Sequence, residues 1–403
     1  MSTSILYHGF GLKGHRHKKT EFVEGEIRFH IGLKPRHLRC PLCNTRQVIK
    51  HSEKLRTLRT LPIGKKLVKL VVSVPRVECP YCEVRRRVKL PSTEKRLSYT
   101  KQFARYVIGL CEVMTIRAVA RHLGVSWDLV KDIHKKYLQK HFSKPRLSHL
   151  KQIAIDEISI GDNHKYLTVV LDLATGAVVY VGKGKGTDAL KDFWTRLGRA
   201  HAQIEAVAID MSPAYISAVL DNLPEAQLVF DRFHIAKLFN DKITELRRDL
   251  QREADENEKE VFKGLRWLLV KHPENIDEDE DKKRRLQEAL KINQPLALVY
   301  YMKDEFRQFW EQKDKEAAKH FLHDWTGRAV ASEVSVLKKL GKTIQAHRSG
   351  LLAWYDYPIS TSPLEGVNNK IKTLQRQAYG YRDKEYFRLR IFSCHRADYK
   401  VVG

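Results

Sequence analysis

The stretch from Ile153 to Asp231 reads IAIDEISIGDNHKYLTVVLDLATGAVVYVGKGKGTDALKDFWTRLGRAHAQIEAVAIDMSPAYISAVLDNLPEAQLVFD. Three short runs rich in β-branched residues open it: Ile153–Ile160, Tyr166–Asp172 and Ala177–Val181. Turn residues separate them (Gly161-Asp162-Asn163, Thr175-Gly176), a spacing that predicts a three-stranded meander. Over Asp188–Leu197, the residues Leu190, Phe193, Trp194 and Leu197 recur at the period of an amphipathic helix. AVAI (Ala206–Ile209) reads as a fourth strand, Pro213 opens a second helix, and QLVF (Gln227–Phe230) reads as a fifth strand. The order is β-β-β-α-β-α-β. Asp156 lies in the first strand and Asp210 closes the fourth. A carboxylate ending a buried strand is costly without a partner, and a divalent metal is one good partner.

Outward from this core, 403 residues allow about two to four domains. A hydrophobic content of 42% supports a real core. No apolar run is long enough to span a bilayer, and MSTSILYHGF lacks the apolar region of a signal peptide. The protein is expected to be soluble and cytoplasmic. Four of the six cysteines form two C-x-x-C pairs, which in a cytoplasmic protein argues for metal rather than disulfides. The formal charge of +26 is unevenly placed. Residues 1–150 hold 33 Lys and Arg against 10 Asp and Glu, whereas residues 151–403 hold 41 against 38. A basic first third on a near-neutral remainder points to a nucleic-acid-binding module joined to something else.

That first third has its own signals. Phe22–Ile31 and Lys66–Val77 read as strands. Between and after them lie Cys40-Pro41-Leu42-Cys43 and Cys79-Pro80-Tyr81-Cys82, 35 residues apart. Paired knuckles flanking β structure predict a zinc ribbon with one structural Zn²⁺ on Cys40, Cys43, Cys79 and Cys82, each thiolate at about 2.3 Å. The separation requires an inserted hairpin, and His51 is an alternative ligand. Arg85, Arg86 and Arg87, then Lys95-Arg96, follow the second knuckle, either as a solvated linker or against DNA phosphates. Tyr99–Val113 is a helical pattern. Thr115–Leu138 then reads as helix, Gly124, a Ser126 cap and a second helix, a helix-turn-helix pattern. Ser126, Trp127 and Lys131 begin its presented helix and are the candidates for DNA contact. A linker at 145–151 leads into the core.

After Asp231 a long amphipathic helix is expected to about Arg252. Arg252–Leu290, with ENIDEDEDKKRR inside it, reads as a solvated helical hairpin or loop. Leu296–Trp310 and Trp325–His347 are further helical patterns, and no β signal appears from 232 to 357. In the final stretch, Ser360–Arg396, Pro363 suits a helix start. Glu365, Asn368, Asn369 and Lys372 share one polar face, with Ile371 and Leu374 on the other.

Asp156 and Asp210 are 54 residues apart, and Glu365 follows 155 later. An Asp on the first strand, a second after the fourth and a late Glu on a helix is the arrangement of ribonuclease-H-like nucleic-acid enzymes. The chain resembles the DDE transposases of the ISL-three insertion-sequence family over nearly all its length. The motifs that carry this are AIDEISIG around Asp156, AIDMSPAY around Asp210, VFDRFHIAKLFN around Asp231, and SPLEGVNNKIKTLQRQAYGYR around Glu365.

The resemblance implies a catalytic, metal-binding triad of Asp156, Asp210 and Glu365, with an all-helical insertion before the last catalytic helix. The expected fold is multi-domain α/β: a zinc-ribbon region (1–95), a helix-turn-helix domain (96–145) and a ribonuclease-H-like mixed-sheet core (150–240). The helical insertion (241–350) and the final helical part of the core (351–403) complete it. The expected activity is binding of terminal inverted repeats, hydrolysis at the element ends to 3′-OH, and joining to target DNA. Two Mg²⁺ (or Mn²⁺) per site, about 3.5–4 Å apart, suit an in-line phosphoryl displacement, and hard cations take oxygen ligands. The expected partners are DNA and a second copy of the chain, with no membrane.

Other residues receive secondary roles. Glu157 alternates to the opposite strand face and is a surface or supporting carboxylate. Asp231 and His234 match a D-x-x-H element of related transposases and are supporting residues. Asn368, Lys370 and Lys372 are placed to reach the scissile strand, and Tyr379-Gly380-Tyr381 is either a base-stacking element or a packed turn. Two other classes compete: a zinc-ribbon and helix-turn-helix regulator without activity, and a nuclease or resolvase with the same core.

Overall fold

A computed structural model describes residues 5–94, 96–161, 165–255, 259, 262, 265–271, 274 and 280–395. The chain divides into two compact units, Met1–Lys140 and His141–Gly403.

In the first unit a short helix, α1 (Ile5–His8), precedes β1 (His15–Val23), β2 (Glu26–Leu33), β3 (Ile49–Arg59), β4 (Val68–Cys79) and β5 (Val84–Arg87). The expected strand Phe22–Ile31 is instead a hairpin. Glu24 and Gly25 both have positive φ, 48° and 81°, the geometry of a tight turn between twisted strands. β4 organises the sheet. β3 pairs along one side of it, while β2 takes its first half in parallel and β5 its last four residues in antiparallel. Val68, Leu70, Val72, Val74 and Val77 of β4 are accordingly buried. The β3–β4 hairpin is the insertion that the knuckle spacing demanded. Arg85–Arg87 are strand residues rather than linker. Lys95 lies outside the described residues.

Three helices complete this unit: α2 (Lys101–Val113), α3 (Ile116–Leu123) and α4 (Trp127–Phe142). Thr100 and Thr115 cap the first two by accepting from Phe103 N and Ala118 N, both at 3.2 Å. Gly124 ends α3 in the left-handed conformation, φ 61°, as a helix C-terminus favours. Val119, Ala120 and Leu123 of α3 pack with Val130 and Ile133 of α4. The helices are tied to the sheet at Arg59, whose Nη2 donates to Leu123 O at 3.0 Å and whose guanidinium lies 5.8 Å from the Phe103 ring.

The second unit is built on β6 (Gln152–Ser159), β7 (Tyr166–Asp172), β8 (Val178–Lys183), β9 (Ala206–Ile209) and β10 (Gln227–Phe230), with α5 (Lys191–Ala200) and α6 (Pro213–Asn222) between them. The sheet order is β10-β9-β6-β7-β8. The β6-β7-β8 meander is antiparallel, and β9 and β10 run parallel to β6. This is the ribonuclease-H-like mixed sheet expected from the sequence. The turn residues Asp162 and Asn163 lie outside the described residues.

Alternation assigns the two faces. Ile153, Ile155, Val207, Ile209 and Phe230 join one core with Phe193 of α5 and Tyr215 of α6. The opposite face carries Ala154, Ala208 and Val229, all fully buried. Two of these three are alanines, which lets a helix approach closely.

Between Arg232 and Tyr355 the described residues form helices joined by short connections, with no strand among them. They form α7 (Arg232–Glu253), α8 (Arg266–Val270), α9 (Glu280–Ile292), α10 (Gln294–Glu305), α11 (Lys315–Ala331), α12 (Ser335–Ala346) and α13 (Arg348–Leu352). The expected helix Trp325–His347 is two helices, broken at Ser332–Val334. Part of the charged stretch, including residues 275–279 within ENIDEDEDKKRR, lies outside the described residues. Trp325 is the hub of this region, with Phe306 at 4.9 Å, Phe239 at 5.5 Å and its indole N–H on Met302 O at 3.0 Å. Its core is continuous with the sheet's first face. Where α13 meets β10, a Cβ on Gly350 would stand 2.4 Å from the Phe230 ring. Gly350→Ala is therefore expected to destabilise this unit by about 1–3 kcal/mol through overpacking, read from its denaturation midpoint. The chain ends with α14 (Ser362–Gln377) and α15 (Lys384–Phe392).

Candidate active site

Three aspartates stand in register on three neighbouring strands, Asp156 inside β6 and Asp210 and Asp231 just past the ends of β9 and β10. Ala208 of β9 pairs with Ala154 of β6 on one side and with Val229 of β10 on the other. Two residues further along each strand stand Asp156, Asp210 and Asp231. All three therefore continue the alanine-lined face, about 4.8 Å from strand to strand. Asp210 and Asp231 follow the carboxyl ends of parallel strands, where open α/β sheets place their ligands, and Asp156 is level with them inside β6.

Helix α14 lies over this row. Thr361 Oγ1 donates to Asp231 Oδ2 at 2.6 Å, and Asn368 Nδ2 donates to Asp156 Oδ2 at 2.9 Å. Gln375 Nε2 continues the contact, donating to Ile160 O. Thr361 and Asn368 are seven residues apart, about 10.5 Å of helix, which matches the two strand spacings between Asp231 and Asp156. Glu365 is one turn from each of them on the same helix face, between the two anchored positions. Its side chain is exposed, whereas Leu364, Val367 and Ile371 bury the helix's other face.

Electrostatics agree with a cation-seeking site. Burial raises the Asp156 carboxyl above its usual range, and the neighbouring Asp210 and Glu157 charges push the same way. The Glu157 backbone N–H, at 2.8 Å, and the His234 imidazole offset part of this. Asp210 Oδ1 accepts from Ser212 N at 3.0 Å. Buried Asp231 Oδ1 and Asn368 Oδ1 have no hydrogen-bond partner. Carboxylate oxygens are the donors a hard cation takes, and Asp156 and Asp210 are close enough for their charges to interact. Glu157 points the other way, toward buried Tyr215, whose hydroxyl pairs with Thr168 Oγ1 at 3.0 Å.

The other candidate centre lies in the first unit. The Sγ atoms of Cys40, Cys43, Cys79 and Cys82 lie within 4.8 Å of one another. Cys43 and Cys79 sulfurs are 3.6 Å apart, too far for a disulfide and close to the edge of a tetrahedron with arms of about 2.3 Å. Leu42 N donates to Cys40 Sγ at 3.4 Å, within the first knuckle's turn. Among the described residues this is the only group of three or more possible ligands gathered closely enough to enclose one ion. His51 is not part of it, since its Nε2 meets Glu78 Oε2 at 2.7 Å.

Known proteins resemble the chain over the regions that hold both centres. A family model described as "Transposase", of the ISL3 type, matches residues 153–391. A helix-turn-helix domain of transposase family ISL3 matches 88–138, and a zinc-finger of transposase IS204/IS1001/IS1096/IS1165 matches 36–82. The transposase of insertion sequence element IS1001 from Bordetella parapertussis is 33% identical over 388 residues, covering 94% of this chain and 95% of its own. The chain belongs to the ISL3 family of transposases. The IS1557 transposase of Mycobacterium tuberculosis is 27% identical over 356 residues, covering 82% of this transposase and 79% of its own length. Among solved structures, the Drosophila P element transposase strand transfer complex aligns with a TM-score of 0.42 and 10% identity, covering 75% of this chain and 93% of that one. The family makes this a DNA-processing enzyme with a DNA-binding helix-turn-helix and a zinc ribbon. Among the described residues, no helix is long and apolar enough to cross a membrane.

The remaining candidates fall in several places. In the transposase's helix-turn-helix, Ser126 Oγ accepts from Leu129 N at 3.3 Å, as a helix cap. Trp127 is exposed, with Lys131 Nζ 5.9 Å from its ring. Arg85, Arg86 and Arg87 are exposed on β5, with Arg85 bonded to Glu78. Lys370 and Lys372 are exposed on α14. Asn368 is not free to reach outward with its amide nitrogen, which Asp156 holds. The Tyr379–Tyr381 turn is mixed, with Tyr381 stacked on Phe387 at 4.6 Å and Tyr379 fully exposed. Thr361 was not singled out from the sequence. Extending the Glu365/Asn368 face one turn back would have found it.

Proposed function

We propose that Asp156, Asp210 and Glu365 are the catalytic triad, and that the transposase cuts the ends of its element by hydrolysis and joins them to target DNA. The supporting observation is the in-register row of aspartates on β6, β9 and β10 beneath the helix that carries Glu365. These three side chains would hold two Mg²⁺ (or Mn²⁺), whose chemistry is to raise the acidity of bound water and neutralise charge on the scissile phosphate. In cleavage, water attacks phosphorus, the P–O3′ bond breaks, and a 3′-OH is freed. In joining, that hydroxyl attacks a target phosphodiester and displaces another 3′ oxygen. No side chain acts as the nucleophile.

The chain's own residues position these steps. Asn368 fixes the rotamer of Asp156, His234 adds a compensating field beside it, and Lys370 and Lys372 meet the backbone of the cut strand. Cys40, Cys43, Cys79 and Cys82 would hold one structural Zn²⁺, while Ser126, Trp127, Lys131 and Arg85–Arg87 contact the terminal inverted repeats. Two element ends must be brought together, so a homodimer on DNA is the working form, acting at the bacterial nucleoid.

The deciding experiment incubates the protein with labelled element ends and a plasmid target. Joined 3′ ends support transposition, whereas cleavage alone would favour a nuclease or resolvase. Cleavage lost in chelator with end binding kept separates an enzyme from a regulator. Binding itself is expected to be strongly salt-dependent because residues 1–150 carry a balance of +23. With about 6–10 phosphates contacted, affinity falls roughly 10³–10⁵-fold between about 50 and 200 mM salt. A flat response in a filter-binding titration would refute this division of labour.

A further inference from the structure

The chain leaves the sheet at Asp231 and returns to it at Thr361, 130 residues later. Both residues occupy the N-cap position of the helix they begin, α7 and α14 respectively, and neither side chain caps its own helix. Asp and Thr are favoured at that position because they cap, which typically stabilises by about 0.5–2 kcal/mol. Here the two side chains bond each other instead, at 2.6 Å, where Asp231 is 1% exposed and Thr361 4% exposed. A bond to a carboxylate in a dry site is stronger than one in water.

From this pairing we infer that Asp231 and Thr361 form a positioning clamp. It fixes the first turn of α14 over β10 and so holds Glu365, one turn on, between the two anchored positions. Asp231 is then a positioning residue rather than a metal ligand. The inference rests on the reading of Glu365 as part of the triad. The need for a clamp follows from topology. Glu365 is the one triad member not on the sheet, and the covalent path to it runs through the whole helical insertion. Thr361 and Asn368 are the two ends of a bridge that locates it, and only the Asn368 end touches another triad member.

The test uses the full-length protein with Thr361→Val, Thr361→Ser, Asp231→Asn and Asp210→Asn. Four readouts are taken: hydrogen exchange, Mn²⁺ binding by calorimetry, end binding, and cleavage of labelled ends in Mg²⁺. Thr361→Val keeps side-chain shape, removes the donor, and removes no cap. It is expected to speed amide exchange in the first turn of α14 while sparing β6 and β9, and to lower cleavage about 10²-fold, the order of loss for an ångström-scale misplacement. End binding should be unchanged, and Thr361→Ser should restore both. Asp231→Asn keeps an acceptor for Thr361, so it should retain Mn²⁺ binding that Asp210→Asn loses. Unchanged exchange in Thr361→Val would overturn the clamp, and so would loss of Mn²⁺ binding in Asp231→Asn, which would make Asp231 a ligand. Active Asp210→Asn protein would overturn the triad instead, with the exchange data still deciding the clamp.

Discussion

Asp156→Asn, Asp210→Asn and Glu365→Gln are each expected to lower end cleavage and strand transfer about 10³-fold or more, with end binding retained. Each change keeps side-chain size and removes one charged oxygen donor. Catalysis of phosphoryl transfer is almost entirely positioning and charge stabilisation, so no other group substitutes. Glu157→Gln is the control. Its side chain faces Tyr215 rather than the aspartate row, and cleavage should stay within a few-fold of the parent. Substantial cleavage by Glu365→Gln would break the triad and redirect attention to Asp231.

The first of these variants, Asp156→Asn, carries a stability signature of opposite sign. Burial raises the Asp156 carboxyl above its usual value, so the folded chain holds that proton more tightly than the unfolded one. The associated stability is present below the unfolded value and is lost as pH rises through the raised folded value. At neutral pH without metal the buried charge is a liability. Asp156→Asn should therefore denature at higher urea than the parent in chelator, and its advantage should shrink on acidification below the ordinary carboxylate range. A lower midpoint at neutral pH would contradict this.

The second large effect concerns zinc. Cys79→Ser is expected to lose the ion and unfold the first sheet, because structural zinc in small modules contributes about 10–16 kcal/mol. Cys79 ends β4, the strand on which β2, β3 and β5 all pair, so local loss spreads through the whole sheet. Arg59 ties that sheet to the helix-turn-helix, and specific end binding should fall with it. The checks are elemental analysis of metal per chain and end binding before and after strong chelation. A folded, end-binding protein with no zinc would refute the site.

Much of this was legible in the amino acids because the signals are local. The meander, the two knuckles and the Gly124 turn each depend on neighbours within a few residues. Asp156 and Asp210 could be paired because strand alternation and a parallel register fix where the next residue falls. What was not legible depends on distant partners. Glu24-Gly25 divides what reads as one strand. Asn368 reads as a solvent-facing amide until Asp156, 212 residues away, is beside it. Thr361 reads as an ordinary helix start. No period within α14 announces that its capping hydroxyl is committed to Asp231.

The order of these acids along the chain also affects synthesis. When Asp156, Asp210 and Asp231 have been translated and the sheet can form, Glu365 is still more than a hundred codons away. At about 5–20 residues per second the ribosome needs roughly 7–27 s more to deliver it. Throughout that interval the nascent chain already displays a complete DNA-binding unit. With the triad proposed above, the nascent chain would be able to grip DNA before it could cut it. A chain ending before Ser362 should accordingly occupy element ends, leave them intact, and compete with the full-length enzyme for them.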